Sequence, residues 1–356
     1  MKPLFSRWTY ILPFLGWAIY GIHEYIQWAP FFLVLTMAII GCVLSAVHHA
    51  EVIAHRIGQP FGTLVLALSI TIIEVSLIIS LMVMDGPDAS SLARDTVFAA
   101  VMIILNGMIG LSILVGSIKF KEQSFGLRGI SSALTILVVI SVLTLILPNY
   151  TVSIPGPFYT NKQLFFVAIT TIVLYLTFLL VQNFRHKDHF LDVDETEKIV
   201  EEKPSMKQVR MSMLMLCVCL VGVVFLAESL SPGLHYFVES IGAPISLVGV
   251  IIACVILLPE GISAFKAAQK NQLQKSLNLS IGSALASVGL TIPVVALVSI
   301  YTGMPLSLGI DAKSTLLFIL SLFVINLSLS TGKTTIIQGM VLLIIFSVYL
   351  FTTIVP

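Results

Sequence analysis

Charge is what this 356-residue chain has least of: 19 Lys and Arg with 18 Asp and Glu make up 10% of it, for a formal net charge of +1. A soluble globular domain carries about a quarter of its residues as charges. The composition excludes one, and the even balance gives no basic face for nucleic acid. Cysteine is scarce too. Cys42, Cys217, Cys219 and Cys254 all lie in apolar runs without a C-x-x-C, and they read as small packing groups with no disulfide framework. The chain has no H-E-x-x-H of an intramembrane peptidase and no D-x-D-x-D-G calcium loop, so neither an enzyme nor a resident cofactor is expected. The alternation of an outer-membrane barrel strand is missing as well.

What the chain has is apolar length: 57% of it is hydrophobic, and the mean hydropathy is +1.04. A helix needs about 20 apolar residues to cross a bilayer. On that basis spans are expected near 9–28, 30–48, 61–84, 96–118, 129–148, 163–183, 210–229, 244–265, 277–301, 314–330 and 334–354, which makes an all-α polytopic membrane protein of about 11 helices. The first span keeps Trp8 and Trp17 near its ends and has no A-x-A-like cleavage site, so a retained helix is expected. If the N-terminus is cytoplasmic, all Lys and Arg except Arg94, Lys162 and Lys313 fall in inner segments. The positive-inside rule then places the N-terminus in the cytoplasm and the C-terminus outside, and the compact chain suggests a bacterial host, hence its inner membrane.

The chain also repeats itself. IGQPFGTLVLALSITIIEVSLI from Ile57 parallels IGAPISLVGVIIACVILLPEGIS from Ile241, an offset of 184 residues at the glycines and 186 at Glu74 and Glu260. IGLSILV (109–115) parallels VGLTIPV (288–294), and Gly41 and Gly222 sit in two further apolar spans. Five crossings separate the two glutamates, and an odd number reverses direction, so the halves are expected to be inverted-topology repeats with substrate near the midplane. The division is a leading helix (1–29), a first five-helix repeat (30–183), a polar linker (184–209) and a second five-helix repeat (210–356). The linker holds Asp188, Asp192, Asp194, Glu195, Glu197, Glu201 and Glu202. Solvated charge is its simplest role, since it has no calcium-loop spacing.

Glu74 and Glu260 are the chemistry-bearing pair. A single intramembrane glutamate is sometimes only a structural hydrogen-bonding group, but two at equivalent repeat positions point to a cation pathway. Apart from Arg210 at the first position of 210–229, no Lys or Arg lies in a span to balance them. Without a cation they take up protons, and when ionised they attract a divalent ion, so proton and metal compete for one site. Around them, Ser69, Thr71 and Ser76 flank Glu74, while Ser280, Ser283, Ser287 and Thr291 form a stripe at helical spacing. Such hydroxyls serve as ligands or as interhelical packing. Pro259, directly before Glu260, is expected to open a local break that frees carbonyl oxygens.

These segments resemble the Ca2+/H+ antiporters of the ChaA type, within the cation/Ca2+ exchanger superfamily. HRIGQPFGTLVLALSITIIEVSLI, LPEGISAFKAAQKNQLQKSLNLSIGSALASVGLTIP and STGKTTIIQG carry the likeness, which covers essentially the whole chain. The resemblance implies that each repeat supplies one acidic ligand, Glu74 and Glu260, and that Ser283 stands at the family's glycine-serine position. It also implies an acidic cytoplasmic linker like 188–202. Vacuolar-type relatives embed the acid in G-N-A-x-E, whereas here it follows S-I-T-I-I and L-L-P.

Other groups read more plainly. His48, His49, Glu51 and His55 suggest a metal site or a pH sensor, but their place beside Arg56 favours a solvated helix end. Glu228 reads as the outer end of its span. A channel would show symmetric rings of ligands, so exchange by alternating access is the favoured reading. Paired Glu with hard oxygen donors suit Ca2+, with Na+ or K+ against H+ as the alternative. The partners expected are therefore Ca2+, H+, in the alternative reading Na+ or K+, and the lipid bilayer.

Overall fold

In a computed structural model the chain is described at residues 7–25, 31–58, 61–86, 90–185 and 204–355. The acidic stretch 188–202 lies outside these residues. The helices are α1 (Trp8–Ile22), α2 (Phe31–Ile57), α3 (Phe61–Asp85), α4 (Leu92–Phe120), α5 (Leu127–Tyr150), α6 (Asn161–Asn183), α7 (Met206–Ser240), α8 (Ser246–Gln269), α9 (Leu273–Thr302), α10 (Ala312–Leu329) and α11 (Ile336–Ile354). Ten of them are long and apolar enough to cross a membrane, and α1 is a shorter apolar helix. At 1.5 Å per residue its 15 residues reach about 22 Å, short of the 9–28 span expected. Its apolar run stops at His23 and Glu24.

Two compact units emerge, one from Met1–Gly86 with Ile199–Val248, the other from Pro87–Lys198 with Gly249–Pro356. Each draws on both halves of the sequence. In the first unit α2 packs on α1, α3 and α7. Gly41 lies against the Leu12 side chain of α1, and Gly222 of α7 lies against the Trp17 ring. The two glycines shared by the repeats thus make room for the leading helix. The repeated I-G-x-P has a backbone cause. Gly58 and Gly242 have φ of +75° and +69°, a left-handed conformation that ends a helix and that glycine adopts without a Cβ clash.

In the second unit α4 is the most enclosed span, which is why it is apolar on all sides. α8 runs parallel to it: Gly249 meets the Asp95–Thr96 backbone, Gly261 meets Met108, and Lys119 Nζ donates to Gln269 O at 3.0 Å. α11 crosses α4 in the opposite sense, with Gly110 against Leu342 and Leu343 and Gly339 against Leu114. Such small-residue contacts let helices approach closely without a hydrophobic drive between them.

The loops display the inversion. β1 (Gln123–Ser124), after α4, pairs antiparallel with β2 (Lys333–Thr334), after α10. At the other end Phe158, after α5, bridges Ser307, after α9. α4 and α9 are equivalent in the repeats, as are α5 and α10, so exchanging the halves turns one loop pair into the other. The first turns of the equivalent helices grip matching loops. Arg94 of α4 donates to Gly309 O (3.0 Å) and Ser307 Oγ (3.1 Å), and Gln274 Oε1 of α9 accepts from Gly126 N.

Candidate functional site

Glu74 lies 13 residues into α3 and Glu260 14 residues into α8, counting from Phe61 and Ser246. At 1.5 Å per residue each stands roughly 20 Å from the start of its helix, past its midpoint. Both are buried, 3% and 4% exposed. Glu74 belongs to the first unit, Glu260 and Ser283 to the second, and each is described in its own surroundings.

Around Glu74 the α3 backbone presents Ile73, Val75, Leu77 and Ile78 as buried apolar neighbours. Ser69 and Thr71 are buried one turn earlier. Their hydroxyls donate to Val65 O (2.8 Å) and Ala67 O (3.0 Å), which commits the protons and leaves oxygen lone pairs as acceptors. Ser76 is half-buried.

Around Glu260 the expected break is absent. α8 runs from Ser246 to Gln269 with Pro259 inside it, because a proline removes one hydrogen bond and neighbouring helices hold the rest of the segment in place. The carbonyl four residues back, that of Val255, still lacks an amide partner in the helix ladder, so the proline supplies one oxygen and not an unwound turn. Gly261 sets this part of α8 at the level of Met108 on α4. There α4 opens into a wide π turn over Ile103–Met108, a feature frequent at functional sites. α9, its repeat equivalent, has one over Ser287–Thr291.

The turn in α4 carries Asn106, which the sequence reading missed. It is fully buried, its amide donates to Ser321 Oγ (2.9 Å) and Met102 O (3.3 Å), and its carbonyl oxygen has no hydrogen-bond partner among the described residues. The signal was one amide in the apolar run VFAAVMIILNGMIGLSILV. On α9, Ser280 is buried with an unpartnered hydroxyl, Ser287 and Thr291 are buried, and Ser283 is half-buried beside Gly282. Among the described residues no group of three or more His, Cys, Asp and Glu is placed to hold a metal ion.

Two expectations fail on burial and length. His49 is not at a solvated helix end: α2 continues to Ile57, and the ring is 1% exposed beneath α1 and α7. Glu228 does not end its span, since α7 continues through Pro232 to Ser240.

The class these features define is a polytopic cation antiporter, and the chain belongs to the sodium/calcium exchanger protein family, whose profile matches residues 28–184 and 211–355. It is 42% identical to y4hA of Sinorhizobium fredii, an ionic transporter by its name, over 98% of this chain and 96% of that one. It is 34% identical to the sodium-potassium/proton antiporter ChaA of Escherichia coli, over 99% and 97%. Among solved structures it is similar to the Ca2+/H+ antiporter protein YfkE, with a TM-score of 0.74 at 20% identity, covering 99% of this chain and 100% of that one. The last likeness is one of fold.

Proposed function

We propose that the chain exchanges Ca2+ for H+ across the bacterial inner membrane by alternating access, the cation and protons competing for Glu74 and Glu260. The observation that carries this is the burial of one carboxylate at mid-helix in each of two repeat-equivalent spans. A carboxylate this deeply buried is costly to keep ionised, and a bound proton or cation lowers that cost. Asn106, in the wide turn of α4 that ends at Met108 opposite Gly261, and Ser283 are the further oxygen ligands in this reading. Ca2+ accepts six to eight such oxygens in flexible geometry. The N-terminus is cytoplasmic in this reading.

Exchange of Na+ or K+ for H+ is the second reading, favoured by the name of the Escherichia coli relative. The test is transport in everted vesicles under an imposed pH gradient, with Ca2+, Na+, K+, Mg2+ and Mn2+ offered in turn. For a shared site, the apparent KM for the transported cation rises by up to about tenfold per unit fall in pH for each proton displaced, and it flattens at higher pH once the carboxylates are ionised. A KM constant from about pH 6 to pH 9 would mean separate ion and proton paths. Transport of Na+ or K+ without Ca2+ would replace the first reading by the second.

A further inference from the structure

The antiport reading uses Glu74 and Glu260 and leaves the buried imidazole of His49 unassigned. His49 projects from α2 into the junction of α1, α2 and α7. Its Nε2 lies 3.3 Å from Thr9 O and its Nδ1 lies 3.2 Å from Ser212 Oγ. A carbonyl only accepts, so Nε2 carries a hydrogen in either charge state. A hydroxyl both donates and accepts. Ser212 therefore donates to Nδ1 when the ring is neutral and, after rotating, accepts from it when the ring is protonated. The ring gains or loses a proton with both hydrogen bonds kept. Thr9 O also accepts from Ser45 Oγ, which in turn accepts from Cys219 Sγ at 3.5 Å.

We infer that His49 is a second proton-binding site, separate from the exchange carboxylates, whose charge state sets the maximal rate of exchange; the inference rests on the antiport reading above. The groups around the ring decide the sign. On α2 they are His48, whose ring lies 5.6 Å away, with Glu51, His55 and Arg56 within two turns. α1 presents Tyr10, at 5.3 Å between ring centres, and Arg7 at its start. α7 presents Lys207 and Arg210 before Ser212, and Cys219 beyond it. The stretch of α3 nearest in level, counting from the contact of Gly62 with Ala54, is residues 65–73, all apolar, Ser or Thr. Cations thus outnumber Glu51, the nearby acid on α2. A proton on His49 adds charge to a packed junction whose direct partners are a carbonyl and a hydroxyl, and this loosens the junction. α2 also packs on α3, which carries Glu74, so protonation from the cytoplasmic side slows exchange.

The experiment measures exchange in everted vesicles at saturating cation, with bath pH varied from about 5.5 to 8.5. The wild-type maximal rate should fall along a one-proton curve toward acid by about fivefold or more, the lower range of coupling between linked sites. His49→Gln keeps a donor for Thr9 and an acceptor for Ser212 without the charge. It should retain the cation KM and its pH dependence while its maximal rate stays flat. His49→Lys should remain at the acid-limited rate. Histidine 15N NMR supplies a readout independent of transport. The signal missing from His49→Gln should titrate in step with the wild-type rate, and do so in Glu74→Gln as well. A wild-type rate without that step, a step that survives in His49→Gln, or a signal that does not titrate would overturn the inference and leave the carboxylate reading intact. Loss of exchange in Glu74→Gln with the His49 titration unchanged supports both readings separately.

Discussion

Glutamine has the volume of glutamate and none of its charge, which makes it the direct probe of the two carboxylates. Glu74→Gln and Glu260→Gln should each lower exchange by at least about 100-fold, since even outer-shell changes at metal sites cost 10–100-fold. Both variants should still insert and elute as wild type on size exclusion. Near wild-type transport by either would remove that residue from the site. In the loop after α5, Tyr159 donates from its hydroxyl to Leu143 O at 2.7 Å, and burial pushes its phenol above the ordinary range. A group that ionises later folded than unfolded contributes stability that is full below the unfolded value of about 10 and is lost as pH rises through the folded one. Solubilised wild-type protein should therefore lose thermal stability above about pH 10. Tyr159→Phe should lack that component and be about 1 kcal/mol less stable at neutral pH; parallel alkaline profiles for the two would refute it.

Helix contacts in the second unit depend on the absence of side chains. A Cβ on Gly339 would stand 2.7 Å from Leu114 N and 2.9 Å from Gly110 O, both backbone atoms of α4. Gly339→Ala should push α11 off α4 and lower stability by about 1–3 kcal/mol. Gly21→Ala on α1, with nothing within 4 Å of the new carbon, is the control and should change it little. Thermal denaturation in detergent compares them, and equal losses would mean the close approach is not what Gly339 serves. At this scale the sequence was a partial guide. The apolar runs located every span, because membrane helices must satisfy their backbone internally. They did not show where helices end: α2 and α7 continue well past their most apolar windows, His49 and Glu228 with them. Pro259 misled for a related reason, since the packing of α8 on α4 keeps its helix continuous.

For the molecule as a whole, the loop pairs fix which segments share a face. Residues 121–126 must lie with 330–335, and 151–160 with 303–311. Charge decides which face is which, because Lys119, Lys121, Arg128 and Lys333 all gather with the first pair. Cysteine labelling should find the first pair cytoplasmic and the second outside. A reversed pattern would overturn the charge-based orientation, while a split within either pair would contradict the fold itself.

The sequence by itself determined the membrane class, the eleven apolar helices, the repeat and the two glutamates it aligns, because hydropathy, charge placement and internal similarity are properties of the linear chain. Burial of His49 was decided only in three dimensions. Its partners, Thr9 and Ser212, stand 40 and 163 residues away, and nothing local separates a histidine under two helices from one in water. The same holds for Asn106, whose open carbonyl oxygen follows from the wide turn in α4 and the hydroxyl of Ser321. It holds also for the two compact units, each drawn from both repeats. Similarity records which segments share an ancestor pattern, whereas compactness depends on which faces interlock, and small residues such as Gly110, Gly249 and Gly339 show their purpose only once a second backbone lies against them.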